Sequence, residues 1–164
     1  SRNNLFLPSN DADLPSLGLY TYTNYSSLDY NGYRQRQPFI GYSAPHKDTM
    51  YDFNENRNIE RYSSIKEFSK KTNQEKHGIK VDYNIFTNAK APKFKEFNLA
   101  NQNLGNPYPI YYPQDFDFSL KPNAVVIDKG IVLPGINDDY NGKAPDLGAY
   151  EYGQVLPHYG IREK

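Results

Sequence analysis

The chain has 164 residues and a mass of 18.9 kDa, enough for one domain with a real core. Its 19 Lys and Arg balance its 19 Asp and Glu, which argues against a general nucleic-acid binder needing a basic surplus. The absence of cysteine excludes disulfides, thiolate nucleophiles and Cys-ligated zinc. A mean hydropathy of -0.86 sits beside 16 Tyr and 9 Phe, 18 Asn, and 11 Gly and 12 Pro. Disordered chains are poor in aromatics, so the composition describes a folded, loop-rich protein whose apolar surface comes from Tyr and Phe.

In chain order, Asn4–Leu7 reads as a short strand closed by Pro8. Residues 9–16 are loop. Leu19–Tyr25 alternates Tyr with Thr and predicts a strand. Asn31-Gly32 marks a tight turn, because both residues tolerate positive φ. Residues 34–61 show no period and hold Pro38, Pro45 and an Asn-rich run, so they form a long connection of the kind that is functional or mobile. Ser64 with Glu67 three residues on forms a capping box, and Ile65 with Phe68 gives the helix its apolar face. That helix stops near Asn73 and exits through His77-Gly78. Lys80–Phe86 alternates as a strand, Asn98–Pro113 is loop, and Phe116 and Phe118 alternate with Asp115 and Asp117. Ala124–Ile127 is the most apolar run and predicts a buried strand. No apolar run approaches a membrane span, and no signal peptide is visible. The opening Ser-Arg-Asn-Asn, without a start Met, predicts numbering that begins inside a longer precursor.

Three residue groups are candidates for chemistry. Tyr33, Arg34, Arg36, Tyr42 and His46 place basic forks among aromatics, which suits an acidic polysaccharide; the alternative is aromatics packing the loop and solvated charges. Glu75 and His77 flank Lys76 and could serve as acid and base, or His77 could simply close the helix end. Asp138, Asp139 and Asp146 cluster hard oxygen ligands of the kind calcium takes, or form Asx turns on their own backbone. The spacing is not that of an EF-hand, and calcium is the only cofactor the pattern suggests.

Residues Asn123-Ala-Val-Val-Ile-Asp-Lys-Gly and then Pro134-Gly-Ile-Asn-Asp-Asp-Tyr-Asn-Gly-Lys-Ala-Pro-Asp-Leu-Gly-Ala-Tyr-Glu-Tyr-Gly resemble the end of secreted bacterial right-handed parallel β-helix proteins of the pectate-lyase-like type. There an "aIDxG" strand precedes a "DxxGxxPDxGAYE" closing segment. Asn3-Asn4-Leu5-Phe6 resembles a rung whose Asn residues stack in ladders, and Ser27–Tyr33 and Ser64–Gly78 resemble late segments of the same proteins. The resemblance implies a mainly β fold: terminal coils of a right-handed parallel β-helix, an irregular Tyr/Pro/Gly-rich cap and one short α-helix. It implies last coils in 1–33, long loops with the helix and edge strands in 34–122, and a closing strand with the C-terminal cap in 123–164. It implies a secreted, periplasmic or cell-surface protein that binds or degrades polysaccharide by lyase or hydrolase chemistry, with catalytic residues on upstream rungs. This chain would form the cap and one wall of a cleft, joined to a preceding β-helix portion or another chain. The alternative class is a non-catalytic carbohydrate-binding or structural component of a surface assembly. Nucleic acid and a transmembrane segment are not expected.

Overall fold

Pro8 has no N–H to offer a ladder, and the first strand, β1, is only Leu5–Phe6. The computed structural model describes residues 1–9, 16–20, 27–34, 40–43, 59–93 and 110–155. Further strands are β2 (Leu17–Tyr20), β3 (Gly32–Tyr33), β4 (Ile40–Ser43), β5 (Ile59–Tyr62), β6 (Ile79–Lys80), β7 (Phe86–Asn88) and β8 (Asp117–Leu120), with one helix, α1 (Ile65–Thr72), between β5 and β6.

The early strands alternate between two sheets. The first sheet runs β1-β3-β6 and is parallel throughout, with Leu5 opposite Gly32 and Gly32 opposite Ile79. In the second, β2-β4-β5, Leu17 lies opposite Ile40 in a parallel pair, and β5 closes the sheet antiparallel. Chain order therefore visits the first sheet, the second, the first and the second again. A small antiparallel pair, β7-β8, stands apart with an irregular register. The regular structure among the described residues is mostly short strand, one sheet is parallel, and no barrel closes.

Alternation along a strand separates the faces of the first sheet. Phe6 and Tyr33 stack on one face with centroids 5.0 Å apart. They join Tyr62, Phe68, Leu17 and Ile65 in one apolar cluster, which ties the two sheets to the helix. On the other face Leu5, Leu7, Ile79 and Val81 pack on Ile85, Phe86, Leu120, Val126 and Leu147.

The helix forms as its caps dictate. Ser64 Oγ accepts from Glu67 N–H at 3.1 Å, and Asn73 ends the helix in the left-handed region at φ 61°. The Glu67 carboxylate accepts from Ser63, through its backbone N–H and its hydroxyl, one residue before the cap.

Three expectations need correction. Asn31-Gly32 is not a hairpin turn: both residues are buried, and Gly32 begins β3. The turn falls one residue earlier, at Tyr30 with φ 54°. Gly32 serves close approach, since an added Cβ would lie 2.7 Å from Leu5 Cδ2 and 3.1 Å from Val81 Cγ1. Lys80–Phe86 is not one strand. The Asp82 carboxylate accepts from Tyr83 N–H and caps a 3-10 turn over Tyr83–Ile85 between β6 and β7. Ala124–Ile127 is a turn. Left-handed residues at Asn123 (φ 64°) and Asp128 (φ 56°) bracket it, and only Val126 is fully buried; Ala124 and Ile127 pack partly on the core and Val125 is 54% exposed.

The strand expected over 19–25 begins at Leu17, and residues 21–26 lie outside the described residues. The connection over 34–61 contains β4 and the start of β5. Most of the loop expected over 98–113 lies outside the described residues. Among the described residues no helix is long and apolar enough to cross a membrane.

The segment 123–155 has no regular strand, yet Val126, Pro145, Asp146 and Leu147 are buried. Its anchors are polar. Asn3, itself left-handed at φ 59°, donates from Nδ2 to Ile131 O at 2.7 Å and accepts at Oδ1 from Ile131 N–H at 2.8 Å. Gly148 N–H donates to Asn3 O at 3.0 Å. The Asp146 carboxylate takes the N–H groups of Asp128 (2.8 Å) and Tyr152 (2.6 Å).

Candidate functional site

A polar chain, exposed at Asn4 and buried at Asn31 and Glu75, crosses the first sheet. Asn4 Nδ2 donates to Asn31 Oδ1 at 3.1 Å, and Asn31 Nδ2 donates to Glu75 Oε1 at 2.6 Å. The Tyr33 hydroxyl donates to the same Glu75 oxygen at 2.6 Å. Glu75 is 1% exposed, and its second oxygen, Oε2, is buried with no hydrogen-bond partner. Burial raises the Glu75 carboxyl above its ordinary value against the pull of its two donors. Burial and the bond to Glu75 raise the Tyr33 hydroxyl as well.

Outside this chain lies a second arrangement. The Asp29 carboxylate accepts from His77 N–H at 2.8 Å and lies 3.0 Å from His77 Nδ1, while the His77 ring stacks on Tyr30 at 4.2 Å. Burial alone would raise the Asp29 carboxyl, but bonds from His77 and the Tyr30 N–H outweigh it and hold it low. Glu75 and His77 are thus brought to different partners. Glu75 points into the core at Asn31 and Tyr33, and His77 lies over Tyr30 at the surface.

The residues expected to hold a sugar divide similarly. Tyr33 is fully buried under Phe6 and belongs to the core, so its ring offers no face to a ligand. Arg34, just after β3, ties that strand to two other segments: Nη1 donates to Pro8 O at 2.9 Å, Nε meets Asp82 Oδ1 at 2.9 Å, and the guanidinium lies 5.1 Å from the Tyr83 ring centre. Tyr42 lies in β4, with its side chain outside the described part. Arg36 and His46 lie outside the described residues.

The Tyr83 ring under Arg34 leads to an aromatic groove outside the candidate groups of the sequence. About 470 Å³ is lined by Tyr83, Lys90, Pro92, Tyr111, Pro113, Phe116 and Phe118. Phe116 stacks on Phe118 at 6.0 Å, and Tyr111 tilts over Phe116 at 5.9 Å. Tyr111 (42%) and Phe118 (43%) keep much of their surface exposed. The signal was present in sequence as Tyr111-Tyr112-Pro113 followed by Phe116 and Phe118. What it lacked was Tyr83 and Lys90 from a distant segment.

The suggested calcium ligands are dispersed in role. Asp138 Oδ2 accepts from Gly135 N–H, the Asp139 backbone carbonyl accepts from Gln154, and both residues are exposed. Both Asp146 oxygens already hold backbone N–H groups, from Asp128 18 residues back and Tyr152 six residues on, so they tie separate segments together rather than form a local Asx turn. Among the described residues no three His, Asp or Glu side chains come together as a metal-holding group.

No family model matches the chain, and searches of curated proteins and of solved structures found no match.

Proposed function

We propose that this chain is a carbohydrate-binding cap: the terminal coils and closing region of a right-handed parallel β-helix protein that works on polysaccharide outside the cell. Two observations support the coils. The strands alternate between two sheets with parallel pairing in each, β1 on β3 and β2 on β4, and the crossover hand preferred for parallel strands is right-handed. An Asn4–Asn31 side-chain bond stacks one coil on the next.

The observation that carries the binding function is the aromatic groove. The C–H faces of a sugar ring are apolar and flat, and exposed Tyr and Phe faces suit them. Lys90 at the groove gives the site a cation, which favours a uronate-bearing chain. In this reading Glu75 and His77 hold the fold together, and lyase or hydrolase chemistry belongs to other coils of the whole protein.

The test is native gel electrophoresis of the chain through polygalacturonate and through a neutral β-glucan. Retardation by polygalacturonate, lost in a Tyr111→Ala, Phe118→Ala double variant that remains folded, is the expected result. Unretarded migration in both would sink the binding function. Release of unsaturated uronate or new reducing ends by this chain alone would move the reading to catalysis.

A further inference from the structure

We infer that the outer edge of β1 is a strand-accepting site, and that its occupant is an extended Asn-X-aromatic segment running parallel to β1: one further coil of the same make. The inference rests on the coil reading above and adds to it the partner and its chemistry.

The side-chain ladder has a direction. Each Asn gives its N–H to the coil after it and offers its oxygen to the coil before it: Asn4 to Asn31, then Asn31 to Glu75. Glu75 Oε1 only accepts, so the ladder terminates there. At the other end Asn4 Nδ2 is occupied, by Asn31, Ser1 and Arg2, while Asn4 Oδ1 meets no donor among the described residues. The ladder is closed on the β6 side and open on the β1 side.

The backbone says the same. β1 is the edge strand of the order β1-β3-β6. Asn4 O and Phe6 O accept from Gly32 and Arg34 on β3, so the N–H and C=O of Leu5 between them face outward. The carbonyls on either side are already taken, Asn3 O by Gly148 N–H and Leu7 O by the Tyr83 hydroxyl. The Leu5 pair is left without a partner among the described residues. It lies in a groove of about 580 Å³ lined by all of Asn3 to Leu7, with Phe86, Phe118 and Leu147 to Tyr150 as walls. Phe6 lines the same groove and stacks on Tyr33.

The occupant follows from what repeats. Asn4-Leu5-Phe6 and Asn31-Gly32-Tyr33 share Asn-X-aromatic. Each follows a left-handed residue, Asn3 (φ 59°) or Tyr30 (φ 54°), and their Asn residues lie 27 positions apart. A parallel strand with the same triplet places an amide N–H on Asn4 Oδ1 and a ring on Phe6. A second copy of this chain docking through its β6 would present Gly78 beside Ile79, with no side-chain amide to give, so it does not match.

The test adds a duplicate of residues 1–27 ahead of Ser1 and follows amide exchange at the original Leu5. In the unextended chain that amide should exchange freely; in the extended chain it should slow by roughly tenfold or more. An Asn4→Leu change confined to the added copy should reverse the slowing. If the extended chain does not fold, a peptide of residues 1–9 added to the unextended chain takes the same readout. Equal slowing with the Asn4→Leu copy overturns the inference, as does no slowing while the Asn31–Glu75 bond persists. Leu5 already protected in the unextended chain, by its own residues 156–164 or by a second copy, also overturns it. Loss of the Asn4–Asn31 bond from the unextended chain would instead bring down the coil reading itself.

Discussion

Asn31 and Glu75 share a hydrogen bond of 2.6 Å across 44 residues of chain. It joins the second strand of the parallel sheet to the turn that follows the only helix among the described residues. Glu75 adopts φ 50° there, a conformation few side chains accept. Its Oε1 is the common acceptor for Asn31 and Tyr33.

Glu75→Ala removes the acceptor shared by the Tyr33 hydroxyl and the Asn31 amide, and Asn31 keeps only its longer bonds to Asp29 O at 3.0 Å and Ser1 O at 3.3 Å. The expected loss is about 2–4 kcal/mol, read from urea denaturation. Glu75→Gln keeps an oxygen at the same place and should lose far less at neutral pH. Equal losses in the two variants would show that the acceptor role is unimportant.

The same residue sets a pH dependence. The Glu75 carboxyl is raised by burial above its ordinary 4.5, so the folded state holds a proton that the unfolded state releases. Stability from Glu75 is complete below pH 4.5 and declines as pH rises through the folded value. Asp29 works in the opposite sense: lowered from 3.8, it stabilises above that pH and loses its contribution as pH falls. The difference in unfolding free energy between wild type and Glu75→Gln should therefore shift toward the Gln variant as pH rises from 4.5. A flat difference curve would contradict the raised carboxyl.

Gly32→Ala tests the close approach of strands. The new methyl would meet Leu5 Cδ2 at 2.7 Å and Val81 at 3.1 Å. The expected cost is about 1–3 kcal/mol, measured as a lower thermal midpoint. A companion Leu5→Ala change should recover part of it, because Leu5 holds the closest atom.

Asn3→Ala tests the clasp between the first residues and the cap. It deletes two bonds to Ile131 and leaves an alanine at φ 59°. Together these should cost about 2–4 kcal/mol. Limited proteolysis should then cut within 123–155 first. Asn3→Gly relieves the backbone strain and should recover only a minor part of the loss.

What the sequence made legible was local. Ser64, Glu67 and Asn73 act within one helix, and the helix lies where they place it. The strand expected over Asn4–Leu7 is present, shortened to Leu5–Phe6, with Pro8 closing it. Asn31-Gly32 misleads because turn statistics describe Asn for its backbone, whereas here its side chain is buried between Asn4 and Glu75. Ala124–Ile127 misleads because apolar composition does not reveal the two left-handed residues around it. The aromatic groove and the burial of Glu75 were illegible in the sequence for one shared reason. Each exists only when segments tens of residues apart meet, Tyr83 with Phe116 in one case and Asn31 with Glu75 in the other.

The clasp between Asn3 and Ile131 spans 128 residues, and this bears on when the chain can finish folding. During synthesis at ~5–20 residues per second, Ile131 is made roughly 6–25 s after Asn3. The first strand is a sheet edge that must wait for the closing segment, so residues translated well before that segment are among the last to settle. Ribosome profiling of nascent-chain accessibility would see the N-terminal strand become resistant to protease only when the final quarter of the chain has emerged.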